Sequence, residues 1–132
     1  MIRHDLARVH RLGMSETLKK EFTAAQTRLG ELVAEHRRVS EFASRKEHEN
    51  KMSLLTMKEL ESLPAETAVY RTIGKAFILS DLPHVQERLR NVSSMALEEK
   101  EKMLTRKAQL EVLIPNIENK AKALYEELSA EQ

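Results

Sequence analysis

Five histidines, at positions 4, 10, 36, 48 and 84, are the side chains here best suited to proton transfer or metal ligation near neutral pH. Their spacing assembles no site. His36 is followed three and four residues on by Val39 and Ser40, so no second ligand shares its helical face. It reads as a tolerated polar residue in an apolar stripe, against the alternative of a buried pH switch or ligand. His4 and His10 are too far apart for one face. No Gly-rich phosphate loop, G-x-S-x-G or H-E-x-x-H occurs. The lack of cysteine removes thiolate nucleophiles, thiolate metal sites and disulfides. No catalytic residue, metal ligand or cofactor is assigned, and the chain reads as a non-enzyme.

The chemistry that does stand out is strand pairing. Ala68–Ser80 reads A-V-Y-R-T-I-G-K-A-F-I-L-S, the one place where helical periodicity gives way to β-branched and aromatic residues around a glycine. A two-residue Gly74-Lys75 turn with glycine first would pair Ile73 with Ala76, Thr72 with Phe77, Arg71 with Ile78 and Tyr70 with Leu79. One face then carries Val69, Ile73, Ala76 and Ile78, the other Tyr70, Phe77 and Leu79. Both faces are apolar, so both need cover. One can lie on the chain's own helix ends; the other needs a second sheet. An isolated two-stranded hairpin is marginal in water, so the block implies completion by other chains.

The flanking elements must position that hairpin. From about Ser15 to Leu63 a 3-4 spacing runs without proline through Leu18, Phe22, Ala25, Leu29, Leu32, His36, Val39, Ala43, Lys46, Asn50, Ser53, Met57 and Leu60. Such a repeat predicts a helix with a left-handed supercoil partner. Pro64 ends it by pushing its predecessor out of the helical region. Asp81 can cap a second helix with Pro83 in its first turn. Its stripe is Val85, Leu89, Val92, Ala96, Met103, Leu110, Leu113, Ile117 and Leu124. Pro115 interrupts it and predicts a kink or local break between Glu111 and Asn116. Folding the chain about Gly74 sets position i against roughly 147 minus i, given equal rise along both helices. Lys46 then lies near Glu99 and Glu101.

The fold class is mostly α: a long antiparallel two-helix coiled coil with one β-hairpin inserted between the helices. Residues 1–14 are a separate lead-in with room to be flexible, closed by Gly13, with Ser15 a credible N-cap for the first helix over 15–63. Residues 64–82 are the connector and hairpin. Residues 83–128 are the second helix, and 129–132 a tail. Composition agrees, with a third of residues charged and 4% aromatic, too few aromatics for a compact globule. Basic and acidic residues number 22 and 21, which disfavours a dedicated nucleic-acid binder. No apolar run approaches the ~20 residues of a membrane span, and the N-terminus lacks a signal-peptide core. The expected location is the cytoplasm. Glu35-His36-Arg37-Arg38 with Arg45-Lys46 is interleaved with acids and reads as a solvated face rather than a basic contact patch. Met52, Met57 and Met103 fall on or beside the stripes and read as core.

Helix, a central V-Y-x-x-[IV]-G-x-x-[FL]-[IV]-L hairpin and helix together resemble a prefoldin subunit of the β type, over about residues 15–128. Tyr70, Ile73, Gly74, Phe77, Ile78 and Leu79 carry the likeness. The resemblance implies a heterohexameric, ATP-independent co-chaperone in which α- and β-type subunits pool hairpins into β-barrels. Coiled coils extending from that body hold unfolded chains, notably actin and tubulin, and pass them to the cytosolic chaperonin. Pro115 and the length of the lead-in depart from the family pattern.

The helix ends are a second candidate surface. Met14, Leu18 and Phe22 should face Leu124, Tyr125 and Leu128. Either the last heptads zip, or part of this surface stays exposed and binds. Under the second reading Leu18, Phe22, Ile117, Leu124, Tyr125 and Leu128 contact non-native clients weakly and multivalently. The rival reading of the whole chain is a homodimeric coiled-coil tether or adaptor without client-holding activity. A tether has no use for a central hairpin.

Overall fold

A computed structural model describes the backbone of residues 2–131 and the side chains of residues 15–130. The order of elements is α1 (Ile2–Glu61), β1 (Val69–Ile73), β2 (Ala76–Ser80) and α2 (Leu82–Glu131). Two long helices bracket one antiparallel hairpin, as the stripe spacing and the glycine-centred block predict.

The helix boundaries correct three expectations. First, α1 runs unbroken from Ile2 past Gly13 and Ser15, so Ser15 is helix interior and not an N-cap, and the backbone of residues 2–14 is no separate segment. A single glycine costs only about 1 kcal/mol relative to alanine, too little to end so long a helix. What the side chains of residues 1–14 do lies outside the described residues. Second, of the kink or local break expected at Pro115, the break is absent: α2 runs as one helix through it. Helical turns on both sides carry the helix past the missing N–H of Pro115, and Leu110, five residues earlier, is fully buried. Third, α2 continues through residues 129 and 130 to Glu131, so no separate tail begins at 129.

The helix ends nearest the hairpin follow the local chemistry. α1 stops at Glu61, three residues before Pro64, and Leu63 N–H and Thr67 N–H close short turns onto the Leu60 and Pro64 carbonyls. The Ser62 hydroxyl donates to the Glu59 carbonyl, satisfying one of the last acceptors. Asp81 sits just before α2, and its carbonyl accepts the first helical bond, from Val85 N–H at 3.1 Å. Pro83 falls in the first turn, where a missing N–H is harmless.

The chain divides into two compact units, residues 1–38 with 106–132, and residues 39–105. In the first, Leu32 and Leu110 are the fully buried large side chains. Ala25, Ala121 and Leu124 form a buried cluster on which Leu18 and Phe22 pack. Burying one leucine contributes about 1.5–3 kcal/mol. In the second, Val39, Ala43, Leu82 and Ala96 are buried together with the small polar Ser53 and Ser93.

All thirteen stripe positions of α1 are buried or half-buried. On α2 one position is corrected: Leu113 is exposed at 37%, and Ile114 is half-buried in its place. Ile114, Ile117, Ala121, Leu124 and Leu128 continue the 3-4 rhythm from Leu110, whereas Leu113 falls off it. Met57 and Met103 are half-buried as expected of core, but Met52 is exposed at 48% because it lies one position outside the stripe.

Candidate functional site

The hairpin is built by its turn. Gly74 has φ of 60°, and no described non-glycine residue has a positive φ. Lys75 therefore has a negative φ, which selects the turn that places glycine first and excludes the type needing two left-handed residues. Its right-handed twist matches the flanking strands and sets the register Val69↔Ser80, Tyr70↔Leu79, Arg71↔Ile78, Thr72↔Phe77 and Ile73↔Ala76. Every pair expected from the sequence forms.

That register sorts the side chains onto two faces. Tyr70, Phe77 and Leu79 share one and are 63%, 73% and 62% exposed. Val69, Ile73, Ala76 and Ile78 share the other, where Ile73 and Ile78 are each 47% exposed and only Val69 is half-buried. The expectation that the chain's own helix ends would cover one face is thus corrected. Only the base of the hairpin approaches the helices, leaving a groove of about 230 Å³ walled by Leu60, Val69, Val85 and Leu89. The sheet has two strands only, so each keeps an unpaired outer edge.

The surface near the chain ends is organised differently. Leu124 is buried at 8%, Leu18, Phe22, Ile117 and Leu128 are half-buried, and Tyr125 is 59% exposed. The Phe22 and Tyr125 rings stand 5.9 Å apart at 41°. The last heptads zip, which leaves Tyr125 as the open apolar member of the six. Met14 lies outside the residues whose side chains are described.

Cross-helix pairs, one aromatic and the others polar, tie α1 to α2 near the expected register. Phe22 meets Tyr125, and His36 Nε2 lies 3.2 Å from Glu111 Oε1. Lys46 Nζ lies 2.8 Å from Glu99, as expected, while Glu101 is exposed and the neighbouring pair is Glu47 with Lys100 at 3.9 Å. A pair missed in the sequence is stronger in geometry. The Arg106 guanidinium donates from Nε and Nη2 to both Glu35 carboxylate oxygens, at 2.6 and 3.0 Å. This fork holds the Glu35 carboxyl below the usual carboxylate range and raises Arg106. The hydrogen bonds that the Lys46 ammonium donates, first to Glu99 and then to Glu49, raise Lys46. Within the supposed solvated face, Arg37 and Arg38 are exposed, but Glu35 and His36 are turned towards α2. Opposite charge near facing positions was the available signal for Glu35 and Arg106, obscured by the diagonal reach of two long side chains.

Sequence comparison decides the family. Residues 20–132 match the family described as Prefoldin subunit. The chain belongs to the prefoldin subunit family. It is 30% identical over 115 residues to prefoldin subunit 1 of Arabidopsis thaliana, covering 85% of this chain and 88% of that protein. A probable prefoldin subunit 1 of Dictyostelium discoideum is 39% identical over 44 residues, 33% of this chain and 38% of that one. Among solved structures, the crystal structure of the prefoldin beta subunit from Thermococcus strain KS-1 aligns at 20% identity with a TM-score of 0.42. The alignment covers 89% of this chain and 90% of that one. As a prefoldin family member the chain is a chaperone subunit, which displaces the homodimeric tether. Among the described residues, no helix is long and apolar enough to cross a membrane, and no three metal-ligating side chains converge.

Proposed function

We propose that this chain is a β-type subunit of a heterohexameric, ATP-independent co-chaperone. Its hairpin, through Val69, Tyr70, Ile73, Gly74, Ala76, Phe77, Ile78 and Leu79, joins the hairpins of other α- and β-type prefoldin subunits. The observation that carries this reading is the open hairpin, with five large apolar side chains exposed over two faces of a two-stranded sheet. So much apolar surface on an ordered element marks an interaction site. A single hairpin suits a β-type subunit. The complex works in the cytoplasm, holds unfolded chains such as actin and tubulin, and delivers them to the cytosolic chaperonin. It needs no cofactor, nucleic acid or membrane.

Client contact falls on the helix-end residues Leu18, Phe22, Ile117, Leu124, Tyr125 and Leu128. Zipping gives these unequal parts. Tyr125 offers its open ring directly, whereas Leu124 supports the cluster beneath. Holding is weak per site and gains strength from several coiled coils acting at once.

Co-expression with α-type prefoldin subunits, read by light scattering, tests assembly. A defined species near ~90 kDa is expected, about six chains of this chain's 15.2 kDa. Persistence of this chain as a separate species beside those partners would overturn the reading. For client holding, removing residues 1–22 and 117–132 should leave the complex intact and abolish suppression of aggregation of a denatured client. Undiminished suppression would sink the helix-end assignment.

A further inference from the structure

Between Ala43 and Met57 the stripe of α1 loses its large aliphatic residues, its positions there being Lys46, Asn50 and Ser53. Across from it α2 sets Ser93, Glu99 and Lys100 around Ala96, between the apolar Val92 and Met103. Ser53 and Ser93 are each 7% exposed, and the Ser93 hydroxyl donates to Asn50 Oδ1. Lys46 reaches Glu99 at 2.8 Å and Glu49 at 3.1 Å, and its ammonium also lies 5.3 Å from the Phe42 ring centre. Lys46, Asn50, Ser93, Glu99 and Lys100 each find a complement on the other helix or beside it. Aliphatic residues here would bury more apolar surface, so maximal stability is not what the layer provides. Polar positions in a coiled-coil seam are best attested as determinants of register and partner, at a cost in stability.

We propose that this layer commits the chain to pairing its own two helices and rejects pairing of α1 or α2 with the same helix of a second copy. Heptad stripes this long do not by themselves distinguish the two outcomes. In a parallel pair of like helices every stripe residue meets itself. Lys46 would face Lys46, and Glu99 would face Glu99, so two attractions become two repulsions. Ser93 would lose its Asn50 acceptor. Asn50 can hydrogen-bond another Asn50, so the discrimination rests mainly on the Lys46–Glu99 pair, with Asn50–Ser93 setting the register. The layer thereby excludes a wrong partner as much as it favours the right one. This inference stands on the contacts within residues 39–105 and is independent of the chaperone reading.

The absence of cysteine makes the test clean. A pyrene attached to Ser44→Cys, an exposed position beside the stripe, reports contact between identical sites of two copies by excimer emission. In the otherwise native full chain, excimer emission stays at the background level. In a variant carrying Lys46→Leu, Asn50→Leu, Ser93→Ala and Glu99→Leu, it should rise several-fold. That rise should be lost on dilution with unlabelled variant. A charge exchange, Lys46→Glu with Glu99→Lys, keeps attraction within the chain and repulsion between copies, and should remain at background. The proposal is overturned if the apolar variant is helical yet shows only background excimer, or if the charge exchange gives as much excimer as the apolar variant. Should the fourfold variant lack helix by circular dichroism, the Lys46→Leu, Glu99→Leu double variant is read by the same criteria.

Discussion

The hairpin and the helix-end cluster are both built from large apolar side chains, yet they differ in what those side chains touch. Around Ala25, Ala121 and Leu124 the chain supplies its own partners, and Leu18 and Phe22 close over them. In the hairpin the two strands pair with each other along one edge, while Tyr70, Phe77 and Leu79 face outwards. Backbone order and side-chain burial have come apart. A helix pair meets both needs at once, because its stripes face each other when the chain folds back. A two-stranded sheet meets only the first, since ten residues offer two apolar faces and no layer to set against either. The hairpin is thus ordered by its turn while its apolar faces stay uncovered by the chain itself, which is the basis of the assembly proposed for it.

This contrast can be broken in order of expected effect. Phe77→Asp with Leu79→Asp should abolish entry into the complex while leaving helix content unchanged by circular dichroism. A parallel loss of helix would mean that the hairpin supports the coiled coil and that the two regions are not separable. Leu110→Ala, at a fully buried position, should do the reverse. It should cost about 2–5 kcal/mol in urea unfolding by leaving a cavity, with assembly failing only as the helices melt. Gly74→Ala probes the hairpin more gently. A Cβ there meets nothing within 4 Å, so only the φ of 60° is penalised, by about 1–2 kcal/mol. The complex should form with reduced affinity, measured by titration against partner subunits.

The smallest effect is a dependence on pH in the seam that the hairpin lacks. Glu35 has its carboxyl lowered from 4.5 by the Arg106 hydrogen bond. Its stabilisation is complete above that ordinary value and is lost as pH falls through the lower folded one. Lys46 is raised from 10.5, so its contribution is complete below that value and is lost as pH rises through the higher folded one. Near neutral pH both pairs are intact. Glu35→Gln should flatten the acid limb of the thermal midpoint measured between pH 3 and 5, and Lys46→Met the alkaline limb. Both groups are accessible to solvent, so the shifts should be modest and shrink with added salt.

The hairpin was readable from sequence down to individual pairs, because one glycine in one turn type determines every partner. The stripe of α1 was readable for the same reason of repetition. Errors collect where a local signal competes with a long-range one. Gly13 and Ser15 look like an end and a cap, yet the helix continues through both. Pro115 looks like a break, yet helical bonding resumes around it. Leu113 and Ile114 are adjacent and both apolar, and both fit between Leu110 and Ile117, so only the 4-3 alternation continued through Ala121, Leu124 and Leu128 separates the inward residue from the outward one. Burial at the helix ends was not readable, since the same residues suit a closed zipper and an open binding surface.

The Gly74-Lys75 turn has one last consequence. Arg71 and Lys75 place two tryptic cleavage points in an exposed ten-residue stretch, and a cut there would sever the covalent link between α1 and α2. Neighbouring strands laid across the sheet would shield those bonds. The rate at which this loop is nicked thus becomes a gauge of how much of the protein has found its companions.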